Sequence, residues 1–501
     1  MTEQQTTLAE GSLLAALDLG SNSFHLIVAR VEHGELRPVE TLAEKVQLGA
    51  GMNNDELAAD AIERGLDCLG RFAQMLASLD IQRLRAVGTH ALRIARNRRQ
   101  FTNPARELLG APIEVIYGRE EARLVYLGVA HTLADDAQSR LVVDIGGGST
   151  EFIIGERFEP RVMESLQIGC VSYTNRFFPD GKISSAAYSR ACNEAILTIS
   201  SIRHNFHHQH WQECVGASGT LQTIEELLLL NGWSDNGIDT AGLARLEQEL
   251  LAFDAMDNIN LDGLAESRRN VIVAGTAITR ALFNAFHIEH MRTSRGALRE
   301  GVLYDLLGRL THEDVRERTV SALMQRYGAD GDIAANVERR ARVFYTATRK
   351  SWQLDHQDWE LLHWVARCHE LGMAISHKHY NRHSAYLLRN SDLPGFSLDE
   401  QERLALLAQA HRGKLNDTLF TDTPEPEQPR VKRLVSIIRL AVLFKYVEQL
   451  EQLPEFSIQV STDALTLEFP AQWLQEHPLT AAELQGEQNQ LAKIGLELNF
   501  S

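Results

Sequence analysis

Apolar residues in the first part of the chain come in short runs interrupted by small polar turns. In LAALDLGSNSFHLIVARV, residues 14–31, one run ends at Asp18, crosses Gly20, Ser21, Asn22 and Ser23, and resumes as a second run. That is the pattern of two strands joined by a tight turn. Taken alone it is a hairpin in which Gly20 relieves backbone strain and Asn22 tolerates left-handed geometry. The pattern recurs in LVVDIGGGSTEFIIG, residues 141–155, with Asp144 in the place of Asp18, Gly146 in that of Gly20 and Ser149 in that of Ser23. Around these hairpins the period becomes helical. Ile62, Leu66, Leu69, Phe72 and Leu76 fall at helical spacing, LRAVGT and APIEVI read as strands, and REEARLVYLGVAHTL, residues 119–133, reads as a helix. ECVGASGTLQTIEELLLL is a strand that breaks at Gly216–Gly219 and opens a helix. Two similar halves of mixed strands and helices predict two α/β lobes around a cleft.

From about residue 312 the strand signal disappears. LLHWVARCHELGMAI and VKRLVSIIRLAVLFKYVEQL are amphipathic helices, DTPEPEQPR is a proline-rich loop, and FSIQVSTDALTLEFP alternates through a last hairpin. The predicted organisation is lobe I at 1–135, lobe II at 136–311, a helical domain at 312–452 and a small α+β domain at 453–501. A length of 501 residues suits about three domains, and 44% hydrophobic with 23% charged residues is the balance of a globular protein. MTEQQTTLAEGS lacks the basic start and apolar core of a signal peptide. No run approaches the ~18 apolar residues of a membrane span, and five cysteines without CxxC spacing suit reduced thiols. A cytoplasmic chain without stable membrane insertion is expected; peripheral membrane association stays open.

A net charge of −17 argues against nucleic acid as a partner. Two basic segments stand out against it. Arg83, Arg85, Arg93, Arg96, Arg98, Arg99 and Arg106 fall in a stretch without acidic residues, and a second concentration runs through His377, Lys378, His379, Arg382, His383 and Arg389 to His411, Arg412 and Lys414. Each is either a solvated helix face or a local anion path. The duplicated turns favour phosphate chemistry: glycines let backbone N–H groups approach phosphate oxygens, and serine hydroxyls add donors. Asp18 and Asp144, at strand ends beside those phosphates, suit Mg²⁺ held directly or through its waters. Ser218 and Gly219, opening a helix, make a further anion position. Glu120 and Glu121, in a first helical turn, need no more than the helix dipole to explain them.

With DLGSNSFH, GREEARL, DIGGGSTEF, GASGT, GALREGVLYD and SDLPGF in view, the chain resembles the exopolyphosphatase and guanosine pentaphosphate phosphatase family, essentially from Leu14 to its end. The resemblance implies an α/β fold of two actin-like (ribonuclease H-like) lobes around a cleft, followed by an all-α HD-like domain and a small β-containing C-terminal domain. It implies Glu121 as the base that activates water, and a Mg²⁺ ion near Asp144, Asp18 and Glu151. Asn22, Ser23, Arg93, Gly146, Gly147, Gly148, Ser149, Ser218 and Gly219 are expected around the terminal phosphates. His369-Glu370 stands where the HD fold has a metal-binding His-Asp pair, so His377, Lys378, His379, Arg382, His383 and Arg412 read as a polyanion track rather than as part of a metal site. Arg295, in SRGALREG, replaces the acidic or small residue that relatives often carry.

VGTHALR and RHSAYLLRNSDLPGF look closer to the exopolyphosphatase branch. The leading expectation is therefore a Mg²⁺-dependent, processive exopolyphosphatase that releases orthophosphate from inorganic polyphosphate. Hydrolysis of guanosine pentaphosphate by the same residues is the alternative. An actin-like ATP-binding kinase or filament protein is a more distant one, since one fold hosts many functions. The family also implies a homodimer; whether K⁺ is required stays open.

Overall fold

A computed structural model describes residues 9–133, 138–310, 314–445 and 455–501. It has two compact units, Met1–Val315 and Arg316–Ser501. The domain boundaries expected at 135, 311 and 452 lie outside the described residues.

In the first unit the opening hairpin forms from β1 (Leu13–Leu19) and β2 (Ser23–Glu32), followed by β3 (Glu35–Lys45). A small hairpin, β4 (Met52–Asn53) and β5 (Glu56–Leu57), leads into α1 (Ala59–Ala77), which buries Leu69, Phe72 and Leu76. Then come β6 (Ile81–Gly88), α2 (His90–Ile94), α3 (Arg99–Leu109), β7 (Ile113–Val115) and α4 (Gly118–Ala130). The sheet order is β3-β2-β1-β6-β7, with β6 parallel to both β1 and β7. Leu14, Ala15, Ala16 and Leu17 are buried in sequence, as a strand covered on both faces requires.

The second lobe repeats the plan. β8 (Ser139–Ile145), β9 (Thr150–Glu156) and β10 (Glu159–Leu166) run antiparallel, and α5 (Cys170–Phe177), α6 (Ser185–Ser200), β11 (Glu213–Ala217), α7 (Ser218–Leu230), β12 (Ile238–Asp239), α8 (Thr240–Leu250), α9 (Arg269–Phe286), β13 (His290–Thr293) and α10 (Leu298–Leu310) follow. The order β10-β9-β8-β11-β13-β12, with β8, β11 and β13 parallel, matches the first sheet strand for strand and adds β12 at the edge. This is the duplicated arrangement of an actin-like fold.

Helices α4 and α10 meet backbone to backbone. A Cβ on Gly301 would overlap the Leu124 carbonyl, and one on Gly128 would overlap that of Ala297, so only glycine fits at the crossing. Beside it lies a buried ion network. Asp305 of α10 accepts from Arg123 of α4 (2.5 Å), from Arg85 of β6 (2.5 Å) and from Arg309 (3.0 Å), while Arg123 also holds Glu120 at 2.8 Å. Burial pushes the Asp305 carboxyl up, but Arg123, Arg85 and Arg309 together hold it well below the usual range. This removes Arg85 from the anion-path reading of the first basic segment: it is 4% exposed because it serves a carboxylate in the core.

The second unit is mainly helical: α11 (Val315–Tyr327), α12 (Gly331–Trp352), α13 (His356–Cys368), α14 (Tyr380–Asn390), α15 (Leu398–Ala410) and α16 (Gln428–Leu443). It ends in β14 (Ser457–Val460), β15 (Ala464–Glu468), α17 (Trp473–Glu476), α18 (Pro478–Leu491) and β16 (Glu497–Phe500). Leu465, Leu467, Leu484 and Leu498 of the last piece share one core with Phe344, Leu362, Leu404 and Ile438.

Candidate active site

The turns that carry the two strand-end aspartates meet. A Cβ on Gly147 would lie 3.0 Å from the Ser21 Cβ and 3.3 Å from the Asn22 nitrogen. Both turns are anchored from behind: Val46 and Gln47 N–H groups donate to the Asn22 carbonyl (3.1 and 2.8 Å), Gly49 N–H to that of Ser21 (2.7 Å), Cys170 N–H to that of Gly146 (3.0 Å) and Val171 N–H to that of Gly147 (2.8 Å). Neither Gly20 nor Asn22 takes left-handed backbone. At this site that conformation falls to Ser218, with φ 71°, at a cost of roughly 1–2 kcal/mol for a residue with a Cβ. The Ser218 hydroxyl donates to the Ile145 carbonyl at the end of β8 (3.0 Å). Strain of this kind persists where the surrounding structure over-determines it.

The cleft encloses about 180 Å³ and is lined by Asp18, Gly20–Ser23, His25, Thr89, His90 and Glu121 from the first lobe. From the second come Asp144–Ser149, Cys170, Ser218–Thr220, Gln222, Arg268, Arg295 and Ala297–Arg299. The structure thus brings Asp18, Asn22, Ser23, Glu121, Asp144, Gly146, Gly147, Gly148, Ser149, Ser218 and Gly219 together around one cleft. Two expected members stand outside the lining. Arg93, expected on the terminal phosphates, instead donates through Nη1 to Glu121 Oε2 and to the Ile116 carbonyl, both at 2.9 Å. Glu151 is 1% exposed, pairs across the sheet from Asp144, and accepts from the Ser165 hydroxyl at 2.8 Å.

Sequence reasoning missed His25, His90, Arg268 and Arg299. His25 lies on β2, His90 at the start of α2, Arg268 just before α9 and Arg299 in α10, and they share no local pattern. Arg268 presses its guanidinium on Gly219, leaving no room for a Cβ there, and His90 lies against Gly148 in the same way. Arg299 donates to Glu300 (2.6 Å) and lies 3.4 Å from His25 Nδ1.

Negative charge is concentrated on the floor. Burial lifts the Asp18 carboxyl well above its usual range, Glu121 and Asp144 add to the shift, and Arg299 opposes it. Asp144 is pushed up to about 7 by burial, with the Ser218 hydroxyl opposing and Glu121 reinforcing. Glu121 is raised by burial against the pull of Arg93. Burial also raises Glu151, reinforced by Glu121 and Asp144. His25 and His90 are each brought down to about 4, chiefly by burial, so both imidazoles are neutral at neutral pH.

This floor fits a hard divalent cation. Asp18 Oδ1, Ser21 Oγ and Asn22 Oδ1 are buried oxygens without a hydrogen-bond partner, and all are hard donors. Among the described residues no three His, Cys, Asp or Glu side chains form a ready-made metal group. A cation here would therefore be held by one or two carboxylates and complete its shell with water and phosphate oxygens, the habit of Mg²⁺.

In the second unit, Glu370 already has a cation as partner: the Lys445 ammonium lies 2.6 Å from its Oε1, with His369 Nε2 at 3.7 Å. His377, Lys378, His379, Arg382 and Arg412 are exposed and His383 is half-buried, with the Arg412 guanidinium 4.5 Å over the Tyr380 ring. Among the described residues no helix is long and apolar enough to cross a membrane.

The profile of the Ppx/GppA phosphatase family matches residues 27–310, and that of Ppx/GppA phosphatase, domain III, matches residues 315–488. A curated relative from Pseudoalteromonas translucida, a guanosine-5′-triphosphate,3′-diphosphate pyrophosphatase, is 39% identical over 97% of this chain and 98% of its own. One of the same name from Photobacterium profundum is 37% identical over 97% of both. Among solved structures, an exopolyphosphatase from Cytophaga hutchinsonii aligns with TM-score 0.55 and 24% identity over 60% of this chain and 98% of its own.

Proposed function

The chain belongs to the Ppx/GppA phosphatase family, and from that premise we propose that its cleft hydrolyses guanosine 5′-triphosphate 3′-diphosphate, guanosine pentaphosphate, at the terminal phosphoanhydride of the 5′ chain, releasing orthophosphate. The observation that carries this reading is similarity at 37–39% identity, along nearly the whole chain, to enzymes named for that substrate. It corrects the expectation of an exopolyphosphatase acting on polyphosphate. The solved exopolyphosphatase shares the fold at 24% identity, which is too distant to carry a substrate. One of the two short motifs that pointed to the polyphosphate branch has a structural reason instead. In RHSAYLLRNSDLPGF the Ser384 hydroxyl donates to the His369 carbonyl and accepts from Gly372 N–H, both at 2.8 Å, and Leu388, Leu393 and Phe396 are core residues. Such positions are set by packing, whatever occupies the cleft.

The chemistry follows from the floor. Ionised Glu121, oriented by Arg93, accepts the proton of a water that attacks the terminal phosphorus while the bridging oxygen leaves with the nucleotide. The backbone N–H groups of the glycine turns and the Ser23 hydroxyl supply donors for the phosphoryl oxygens. Asp18 and Asp144 are the residues that would hold Mg²⁺. When bound, that ion neutralises charge on the transferred phosphoryl group.

The test is product analysis after incubation with guanosine pentaphosphate and Mg²⁺. The reading requires orthophosphate and guanosine tetraphosphate in equal amounts. Pyrophosphate from the 3′ side, or no product, overturns it.

A further inference from the structure

The proposed substrate carries two separate anionic groups, and the phosphate turns account for one. We propose that Arg295 binds the other, the 3′-diphosphate, and is the residue by which the cleft distinguishes guanosine pentaphosphate from substrates with a single phosphate chain. This rests on the reading of the reaction given above.

Arg295 lines the cleft, is exposed, and makes no hydrogen bond or ion pair with any described residue. Its neighbour Arg299 differs, being bonded to Glu300 at 2.6 Å. The backbone that carries Arg295 is fixed on both sides. Ser294 N–H donates to the Gly216 carbonyl (2.8 Å) and its own carbonyl accepts from Gln222 Nε2 (2.6 Å). Gly296 N–H donates to the Ser294 hydroxyl (3.1 Å), and its Cα abuts the Gly128 carbonyl too closely for a Cβ. A free guanidinium on an anchored backbone is pre-organised for an anion and has no internal partner to give up on binding.

The topology sets how far that anion lies from the reacting phosphate. β8, which delivers Asp144 and the Gly146–Ser149 turn, is parallel to β11, and β11 is parallel to β13, which delivers Arg295. Two strand spacings separate the two ends, roughly 10 Å. Arg295 is thus displaced from the terminal phosphate along the cleft, where a nucleotide whose 5′ chain occupies the turns would present its ribose.

The test compares wild type, Arg295→Ala and Arg295→Lys in two assays. In calorimetric binding, Arg295→Ala is expected to weaken guanosine 5′-diphosphate 3′-diphosphate by about ten- to a hundredfold, the range for losing hydrogen bonds to a charged group, with a much smaller loss for guanosine 5′-diphosphate. Arg295→Lys should recover part of the loss. In steady-state hydrolysis of guanosine pentaphosphate, Arg295→Ala should raise KM far more than it lowers kcat. Equal losses for the two nucleotides, or none, overturn the assignment. A wild-type protein that binds the tetraphosphate through Arg295 but releases no phosphate from the pentaphosphate supports the assignment and overturns the reaction.

Discussion

Glu121 shares its surroundings with Arg93, which favours its ionised form, and with Asp18 and Asp144, whose carboxyls it pushes up. If it is the base, Glu121→Gln keeps the shape and loses the proton acceptor. Turnover should fall by about 10²–10⁴-fold while tetraphosphate binding persists; a loss within about tenfold, below the range for a general base, would leave Glu121 only its place in the first turn of α4. Asp144 gives a second prediction, in stability. Its folded pKa, about 7, lies above the ordinary aspartate value of about 4, so the native state holds its proton more tightly. The metal-free protein therefore loses stability as pH rises from about 4 to 7. Asp144→Asn, which cannot ionise, should be more stable than wild type at pH 8 by a margin that shrinks toward pH 5, and should need more Mg²⁺ for turnover. Melting curves at the two pH values and a Mg²⁺ titration check both; a margin independent of pH contradicts the shift. Residues of the aspartate turns were legible in sequence because their chemistry is local: Asp18 and Ser23, or Asp144 and Ser149, lie within one turn. Arg85 was misread because its partner, Asp305, lies 220 positions away.

At the scale of elements, most strands and helices followed from periodicity, and the two copies of the turn correctly announced two copies of the sheet. What the pattern could not convey is how closely elements approach. Gly70, Gly128 and Gly301 look alike as glycines inside helices, yet their surroundings differ. A Cβ at Gly70 meets nothing within 4 Å, whereas one at Gly301 would overlap the Leu124 carbonyl. The same substitution should therefore have opposite signs. Gly70→Ala is expected to stabilise by about 0.5–1 kcal/mol, and Gly301→Ala to destabilise by about 1–3 kcal/mol and to impair turnover by shifting α4, which carries Glu121. Denaturant melts of both variants decide this; equal effects would mean that the α4–α10 contact is looser than described. Two cleft arginines were hidden for a related reason: Arg268 precedes α9 and Arg299 lies in α10, and nothing in their local sequence marks them as cleft residues.

Across the whole molecule, every residue given a part in the proposed reaction lies in the first unit, Met1–Val315, which has cores of its own. The solved relative aligns over 98% of its length with only 60% of this chain, about the share this unit occupies. A fragment of residues 1–315 should therefore fold cooperatively and release phosphate in a manner abolished by Glu121→Gln; a fragment that melts without a transition would assign the second unit a part in folding the first. The substrate was the least legible property, because the short motifs VGTHALR and RHSAYLLRNSDLPGF read as marks of the polyphosphate branch. The central claim, a nucleotide rather than a polymer in the cleft, is tested most directly by kcat/KM for guanosine pentaphosphate and for long-chain polyphosphate, measured as orthophosphate release by one preparation. The larger value is expected for guanosine pentaphosphate; a larger value for polyphosphate would contradict a nucleotide-binding cleft.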